Sequence, residues 1–272
     1  MKLQITAKQA GTAFELLKGL DVPADKLKRQ LKRREVKLNG ARIAADCPVA
    51  PGDVLEVFIP EQFVRTHPAQ IVWQGGGAVI ADKPAGADVY RFAESLGLLP
   101  AHRLDRNTSG LLLLAETPAV LTVLEAAVRK HCLEKYYYAV VLGKLHNGGT
   151  YTVYQYKDAA TATVRVSDAP QPGYEPAITA FEPMAYDAAT DTTRVRVHIE
   201  TGRTHQIRAF FAHIGHPLVG DGKYGDYAAN KRLGGTQRLV AYKLVFGDVP
   251  VEGLTGRTVE LPESVCAERL RV

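Results

Sequence analysis

Between His102 and Ser109 the sequence HRLDRNTS crowds one carboxylate, Asp105, among two guanidinium groups, an imidazole and two hydroxyls. Neighbouring cations favour the ionised form of a carboxyl group, and an ionised aspartate can act as a nucleophile or as a general base. The same residues also suit an aspartate that closes a turn and pairs with Arg103 and Arg106. The segment alone leaves the two roles open. Gly110 and four consecutive leucines, Leu111, Leu112, Leu113 and Leu114, come next and read as a strand buried on both faces. The polar cluster therefore stands at the mouth of a core strand, a rigid support for any side chain that does chemistry.

Two downstream stretches could supply partners. Residues 135–141, KYYYAVV, alternate and are aromatic and β-branched, as in a strand. On such a strand Lys135, Tyr137, Ala139 and Val141 share one face and Tyr136, Tyr138 and Val140 the other, so the three tyrosines do not play one role. Residues 201–225 read TGRTHQIRAFFAHIGHPLVGDGKYG. Thr201 is expected to cap a helix over about 203–214, ended by Gly215 in the left-handed conformation. Ile207, Phe211 and Ile214 form its apolar stripe, which leaves Arg208 on a flank with His205. His205, His213 and His216 lack the spacing of a helical metal pair, and no metal site is expected. His205 is expected to satisfy backbone or phosphate groups, and Asp221 to shape a turn.

The surrounding sequence supplies the framework. Residues 1–60 read as a separate small module, with a strand around Leu3 and Ile5 and a helix carrying Phe14, Leu16, Leu17 and Leu20. A second helix follows Pro23 and buries Leu27 and Leu31. Its other faces hold Lys26, Lys28, Arg29, Lys32, Arg33 and Arg34, which as a charge run alone is a solvated face. Asn39-Gly40 marks a tight turn, and Pro51-Gly52-Asp53 introduces a strand over 54–59. Residues 61–70 form a linker and 71–272 a second domain. There the Gly75-Gly76-Gly77 run is a hairpin turn, a short helix covers roughly 89–96, and Thr117-Pro118 opens a helix that ends near His131. Alternating strands cover 150–156, 161–166, 177–181 and 193–199. Residues 224–235 are expected to be a long loop and 238–246 the last strand. So many closely spaced strands argue for an antiparallel or mixed sheet.

Residues 102–115, HRLDRNTSGLLLLA, resemble the motif of the RluA-type RNA pseudouridine synthases, in which the aspartate of HRLD is catalytic. K-x-Y-x-A-x-V at Lys135, Tyr137, Ala139 and Val141 resembles a second segment of that family. TGRTHQIR with G-x-P-L-x-G-D-x-x-Y-G in 201–225 resembles a third. The resemblance spans about 71–246 and implies an α/β (α+β) fold with a central, mainly antiparallel mixed sheet, flanking helices and an RNA cleft. It implies that Asp105 is catalytic, that Arg208 pairs with it, that Tyr137 stacks on the target base and that Ile207 walls the base pocket. Arg103, His205 and Lys83, the last in a K-P-x-G segment, are taken as further substrate-binding residues. Residues 1–60 resemble the S4-type RNA-binding module through their two helices and through Val36, Leu38, Asn39, Gly40, Gly52, Asp53 and Val54. That likeness implies phosphate contacts from Lys28, Arg29, Lys32 and Arg33. Ala24-Asp25 stands where such modules commonly carry a serine-arginine pair.

The implied reaction isomerises one uridine of a structured RNA, ribosomal rather than transfer RNA, to pseudouridine. The nucleotide must first leave its stack, at a cost of roughly a few kcal/mol, and stacking on Tyr137 would return on the order of 1 to 3 kcal/mol. Attack of Asp105 on C1′ or C6 and proton removal from C2′ are all open, and Tyr137 is a candidate to accept or relay the C5 proton. No step calls for a metal, redox carrier or other cofactor.

Composition sets the outer bounds. A net charge of +5 and a pI near 9.0 mildly favour a polyanionic partner. Cys47, Cys132 and Cys266 lie far apart with no C-x-x-C spacing, which suits reduced thiols. The start MKLQITAKQAG has no apolar core of signal-peptide length. The expectation is a cytoplasmic monomer without a membrane partner. A zinc deaminase would need H-x-E with P-C-x-x-C, and a glycosidase a second well-placed carboxylate; neither is found. An RNA-binding protein with a degenerate synthase domain is the competing reading, and the intact Asp105, Tyr137 and Arg208 speak against it.

Overall fold

A computed structural model describes residues 2–20, 22, 24–59, 70–158, 161 and 163–272. Pro23 and all of the expected linker except Gln70 lie outside the described residues. The chain divides into two compact units, Met1–Pro68 and Ala69–Val272.

In the first unit, β1 (Lys2–Thr6), β2 (Gly11–Thr12), α1 (Ala13–Leu17), α2 (Ala24–Lys32), β3 (Val36–Leu38), β4 (Ala41–Ile43), β5 (Pro48–Val49) and β6 (Val54–Phe58) follow in order. The sheet order is β1-β6-β3-β4, all antiparallel, and β2 pairs with β5. Leu27 and Leu31, one turn apart on α2, pack with Leu17, Val36, Leu55 and Val57, as their spacing requires. Lys28, Arg29, Lys32 and Arg33 are exposed. Asn39 and Gly40 turn the β3–β4 hairpin with φ of 49° and 86°. The Asn39 side chain accepts from the Val54 N–H and donates to Asp53, whose carboxylate also accepts from the Ala50 N–H. The turn and the Pro-Gly-Asp bend thus lock each other.

The second unit runs β7 (Gln70–Gly75), β8 (Ala78–Lys83), α3 (Val89–Ser95), β9 (Leu99–Pro100), β10 (Ser109–Ala115), α4 (Pro118–Arg129) and β11 (Leu133–Leu142). It continues with β12 (Gly149–Asp158), β13 (Thr163–Ser167), β14 (Glu175–Asp187), β15 (Thr192–Ile199) and α5 (Gln206–His213), then α6 (Tyr227–Leu233), β16 (Leu239–Phe246), β17 (Thr258–Glu260) and α7 (Glu263–Leu270). Among the described residues one sheet has the order β13-β12-β14-β15-β11-β16-β10-β8-β7, with β17 on β16 and β9 on β10. Its pairs are antiparallel except β10–β16, so the sheet is mixed and mainly antiparallel.

Two cores lie on the two faces of this sheet, and the leucine run shows why it is continuous. Leu112 and Leu114 enter the core that includes α3 and α5, while Leu111 and Leu113 enter the core that includes α4 and α7. All four are buried, a gain of roughly 1.5 to 3 kcal/mol each over exposure. Strand β11 divides in the same way. Tyr137, Ala139 and Val141 face the first core, and Tyr136, Tyr138 and Val140 the second. Gly110 sits where β10 meets β16 in parallel, with φ of 115°, and a Cβ there would lie 2.1 Å from the Ala241 carbonyl oxygen. Only glycine fits.

Three expectations are corrected. The span 224–235 is not a loop throughout, because Asp226 caps α6 by accepting from the Ala229 N–H. The strand β16 is not the last element, since β17 and α7 follow it. Arg269 of α7 donates two hydrogen bonds to Asp82 of β8, fastening the helix to the sheet. Thr201 does not cap α5, which begins only at Gln206. The Thr201 hydroxyl instead accepts from the Ile178 N–H and donates to Gln206 Oε1. No helix among the described residues is long and apolar enough to cross a membrane.

Candidate active site

Asp105 stands just before β10 in a turn closed by the Thr108 N–H on its own carbonyl. Its carboxylate does not pair with Arg103 or Arg106. It accepts a hydrogen bond of 2.7 Å from Nη1 of Arg208, on α5. The rest of that guanidinium is committed to Asp221, with Nε at 2.7 Å and Nη2 at 2.9 Å. Asp221 in turn accepts from the Lys223 and Tyr224 N–H groups, so it shapes the expected turn and also clamps the arginine. Burial alone would lower the Arg208 pKa and raise that of Asp221. The hydrogen bonds and charge between them win, moving Arg208 up and Asp221 below the ordinary carboxylate range. Two carboxylates thus fix the direction of one cation, and Asp105 receives its one free arm.

Helix α5 places that arm by being buried on every side. Its residues from Gln206 to Phe211, Arg208 included, are all buried, a wider apolar contact than the expected stripe of Ile207, Phe211 and Ile214. Gly215 follows with φ of 83°, the left-handed stop the sequence called for. His205 takes the position before the helix at φ 52°, an uncommon conformation for a residue with a Cβ. Its Nδ1 lies 2.8 Å from the Tyr224 hydroxyl and its Nε2 lies 4.0 Å from Asp105 Oδ1. Within the protein its partner is thus a side chain rather than the backbone. Burial, opposed by Asp105, keeps the imidazole below its usual pKa.

These side chains surround a cleft of about 230 Å³ lined by Asp105, Arg208, His205, Ile207, Tyr137 and Arg103, with Ile199 and Leu239 supplying apolar wall. Tyr137 is 6% exposed, and burial together with the Asp105 charge pushes its phenol well above the ordinary tyrosine range. The hydroxyl therefore stays protonated. His102 lines the cleft as a neutral acceptor for the Leu113 N–H at 3.1 Å, and burial pulls its pKa down to about 3.

Lys83 does not belong to this group. It is fully buried, and its ammonium donates to the carbonyls of Pro84, Ala87 and Arg106. The expected substrate contact is corrected to an internal one, because a cation this deep must be satisfied by the chain itself. It pins the residue next to Asp105. Lys28, Arg29, Lys32 and Arg33 belong to the first unit and are not part of the cleft. Sequence reasoning passed over Lys135, Asp221 and Tyr224 as parts of the site. Family resemblance singled out Tyr137, and the strand alternation puts Lys135 on the same face, so that signal was present. The clamp by Asp221 arises only from the tertiary fold.

Comparison with known proteins agrees with the geometry. The family model described as RNA pseudouridylate synthase matches residues 65–213. The ribosomal large subunit pseudouridine synthase C of Vibrio vulnificus is 30% identical over 236 residues, covering 76% of this chain and 73% of the relative. The tRNA pseudouridine synthase C of Yersinia pestis is 35% identical over 187 residues, covering 60% and 72%. In fold, the chain is similar to human RNA pseudouridylate synthase domain containing 1, with a TM-score of 0.61, 22% identity, and coverage of 71% of this chain and 83% of that one. By motif, fold and relatives alike, this chain belongs to the RNA pseudouridylate synthase family, a family of isomerases acting on RNA.

Proposed function

We propose that the protein isomerises a specific uridine of ribosomal RNA to pseudouridine, with Asp105 as its catalytic residue. The observation that carries this reading is the clamped guanidinium: Arg208 holds one oxygen of Asp105, and Oδ1 accepts no hydrogen bond among the described residues. A carboxylate so oriented at the wall of a cleft is ready to act on a sugar or a base.

The reaction breaks N1–C1′, turns the uracil and joins C5 to C1′. The target is flipped from its stack into the cleft, at roughly a few kcal/mol. The ring of Tyr137 offers a stacking face, and Ile207 and Leu239 complete the apolar slot. Asp105 serves as nucleophile or base, and the site favours no one route among attack at C1′, attack at C6 and removal of the C2′ proton. The protonated phenol of Tyr137 cannot take the C5 proton without passing on its own. His205, neutral and lining the same cleft, and Asp105 are the bases available for that step.

Ribosomal RNA is the favoured target because the ribosomal relative matches over 76% of this chain and the transfer-RNA relative over 60%. The first unit reads as an S4-like module whose Lys28, Arg29, Lys32 and Arg33 hold phosphates. Three unpaired cysteines suit a reducing cytoplasm. The test is pseudouridine mapping on RNA from cells lacking the protein, complemented with wild type or Asp105→Asn. One ribosomal site lost on deletion, restored by wild type and not by the folded variant, is the expected result. Restoration by Asp105→Asn would remove Asp105 from the chemistry.

A further inference from the structure

Lys135 lines the same cleft as Asp105 and Tyr137. We propose that Lys135 is the electrophile of this site: its ammonium donates to a carbonyl oxygen of the flipped uracil and stabilises the negative charge that the ring acquires during isomerisation. The proposal rests on the pseudouridine reading and deepens it.

The chemistry requires such a group whichever route Asp105 takes. If the carboxylate attacks C1′, or if a base removes the C2′ proton, the N1–C1′ electron pair leaves with the uracil. The ring becomes an anion delocalised over O2 and O4. If the carboxylate adds to C6, the pair of the C5–C6 double bond moves onto C5 and O4 as an enolate. In each case the ring gives up this charge as C5 bonds to C1′, after which the C5 proton passes to a base and a proton is returned to N1. A preorganised donor at a ring oxygen therefore gains strength in the transition state, which is the condition for catalysis rather than mere binding.

The structure leaves this task to Lys135. Arg208 is committed to Asp105 and Asp221. His102 and His205 have their pKa values lowered by burial, and Arg103 is exposed at the rim. Lys135 lies two residues before Tyr137 on the same face of β11, beside Ile199 of β15. Its Nζ is 3.4 Å from where a Cβ would stand at Gly202, so the glycine leaves it room. Among the described residues it makes no hydrogen bond or ion pair, and burial pulls its pKa below the ordinary lysine range with no carboxylate to hold it up. A half-buried ammonium with no partner is poorly solvated, and negative charge developing on an oxygen inside the cleft completes it. Phosphates of a bound RNA can stay in solvent at the rim, whereas the flipped base must enter. The base, once its glycosidic bond breaks or C6 is attacked, is the group that carries negative charge to this lysine.

The test uses the full chain. Barbiturate, a uracil-like ring that is anionic at neutral pH, is titrated calorimetrically into wild type, Lys135→Gln and Lys135→Arg. Expected is measurable binding by wild type, at least tenfold weaker binding by Lys135→Gln, and partial recovery by Lys135→Arg. The melting temperature of Lys135→Gln should be unchanged or higher, since a half-buried charge without a partner is removed; a purely structural lysine would lower it. On unmodified ribosomal transcripts, Lys135→Gln should lose about 10²- to 10³-fold in kcat with KM and the salt dependence of RNA binding unchanged. A raised KM with intact kcat and a shallower salt slope would make Lys135 a phosphate contact and overturn the proposal, as would no barbiturate binding by wild type or equal binding by Lys135→Gln. Wild type that binds barbiturate through Lys135 but converts no RNA would retain the anion seat and remove the pseudouridine reading.

Discussion

Asp105, Arg208 and Asp221 form a line of alternating charge in which each member fixes the next. Replacing Asp221 by Asn should leave the arginine half-held and lower kcat by about 10- to 100-fold, with RNA affinity within about twofold, in single-turnover assays. It should also destabilise the fold by about 3 to 5 kcal/mol, because it removes one partner of a buried pair. His102 makes a pH prediction. The unfolded chain takes up this proton near 6.5, while the folded chain resists until about 3. Between those values the unfolded state binds more protons, so stability falls as pH falls from about 6.5 towards 3. Urea unfolding over that range should show a loss of about 3 to 5 kcal/mol in wild type and a flatter profile in His102→Gln. At this scale the sequence was informative where residues lie in one motif and silent where they meet through the fold. Asp105 and Arg208 are separated by 103 positions and were paired by family resemblance. The side chains of Asp221 and Tyr224 gave no local sign of the arginine clamp or of the His205 contact.

Helix and strand patterns differ in how plainly they were written. The β10 leucines and the alternation of β11 were legible because two covered faces demand apolar residues at fixed positions. Helix α4 announced itself through Thr117, whose side chain accepts from the Val120 N–H, and Pro118. Helix α6 has no buried residue, so it left no hydrophobic period to read. Helix α7 buries only Cys266 and Leu270, too few to mark a face. Two variants test how elements hold the site. Gly110→Ala should destabilise the protein by about 3 kcal/mol or more, since a Cβ cannot stand 2.1 Å from a carbonyl oxygen at positive φ. Chemical denaturation would detect it, and an unchanged midpoint would contradict the parallel β10–β16 contact. Lys83→Met should cost about 2 to 4 kcal/mol by leaving three carbonyls without their ammonium. A Lys83→Met protein of normal stability with weakened RNA binding would instead restore the substrate role that burial denies it.

The two units differ in character. The first presents the exposed cations Lys28, Arg29, Lys32 and Arg33, and the second contains the cleft with Asp105, Arg208 and Asp221. Neutralising Lys28, Arg29, Lys32 and Arg33 together to Gln should weaken RNA binding and reduce the slope of log affinity against log salt by about 3, if each meets one phosphate of single-stranded RNA. The single-turnover rate at saturating protein should change little. A fall in that rate at unchanged affinity would show that the first unit does more than hold the substrate.

If Asp105 drives isomerisation in RNA, exchange of the uridine C5 hydrogen reports it directly. Unmodified ribosomal and transfer RNA transcripts labelled with tritium at C5 of uridine are incubated with purified wild type and Asp105→Asn, with RNA binding by both measured in parallel. The expected result is stoichiometric tritium release at one site by wild type and at least a 10³-fold slower release by a variant that still binds RNA. Binding without release by the wild-type protein on every transcript would contradict the account and leave an RNA-binding protein in its place.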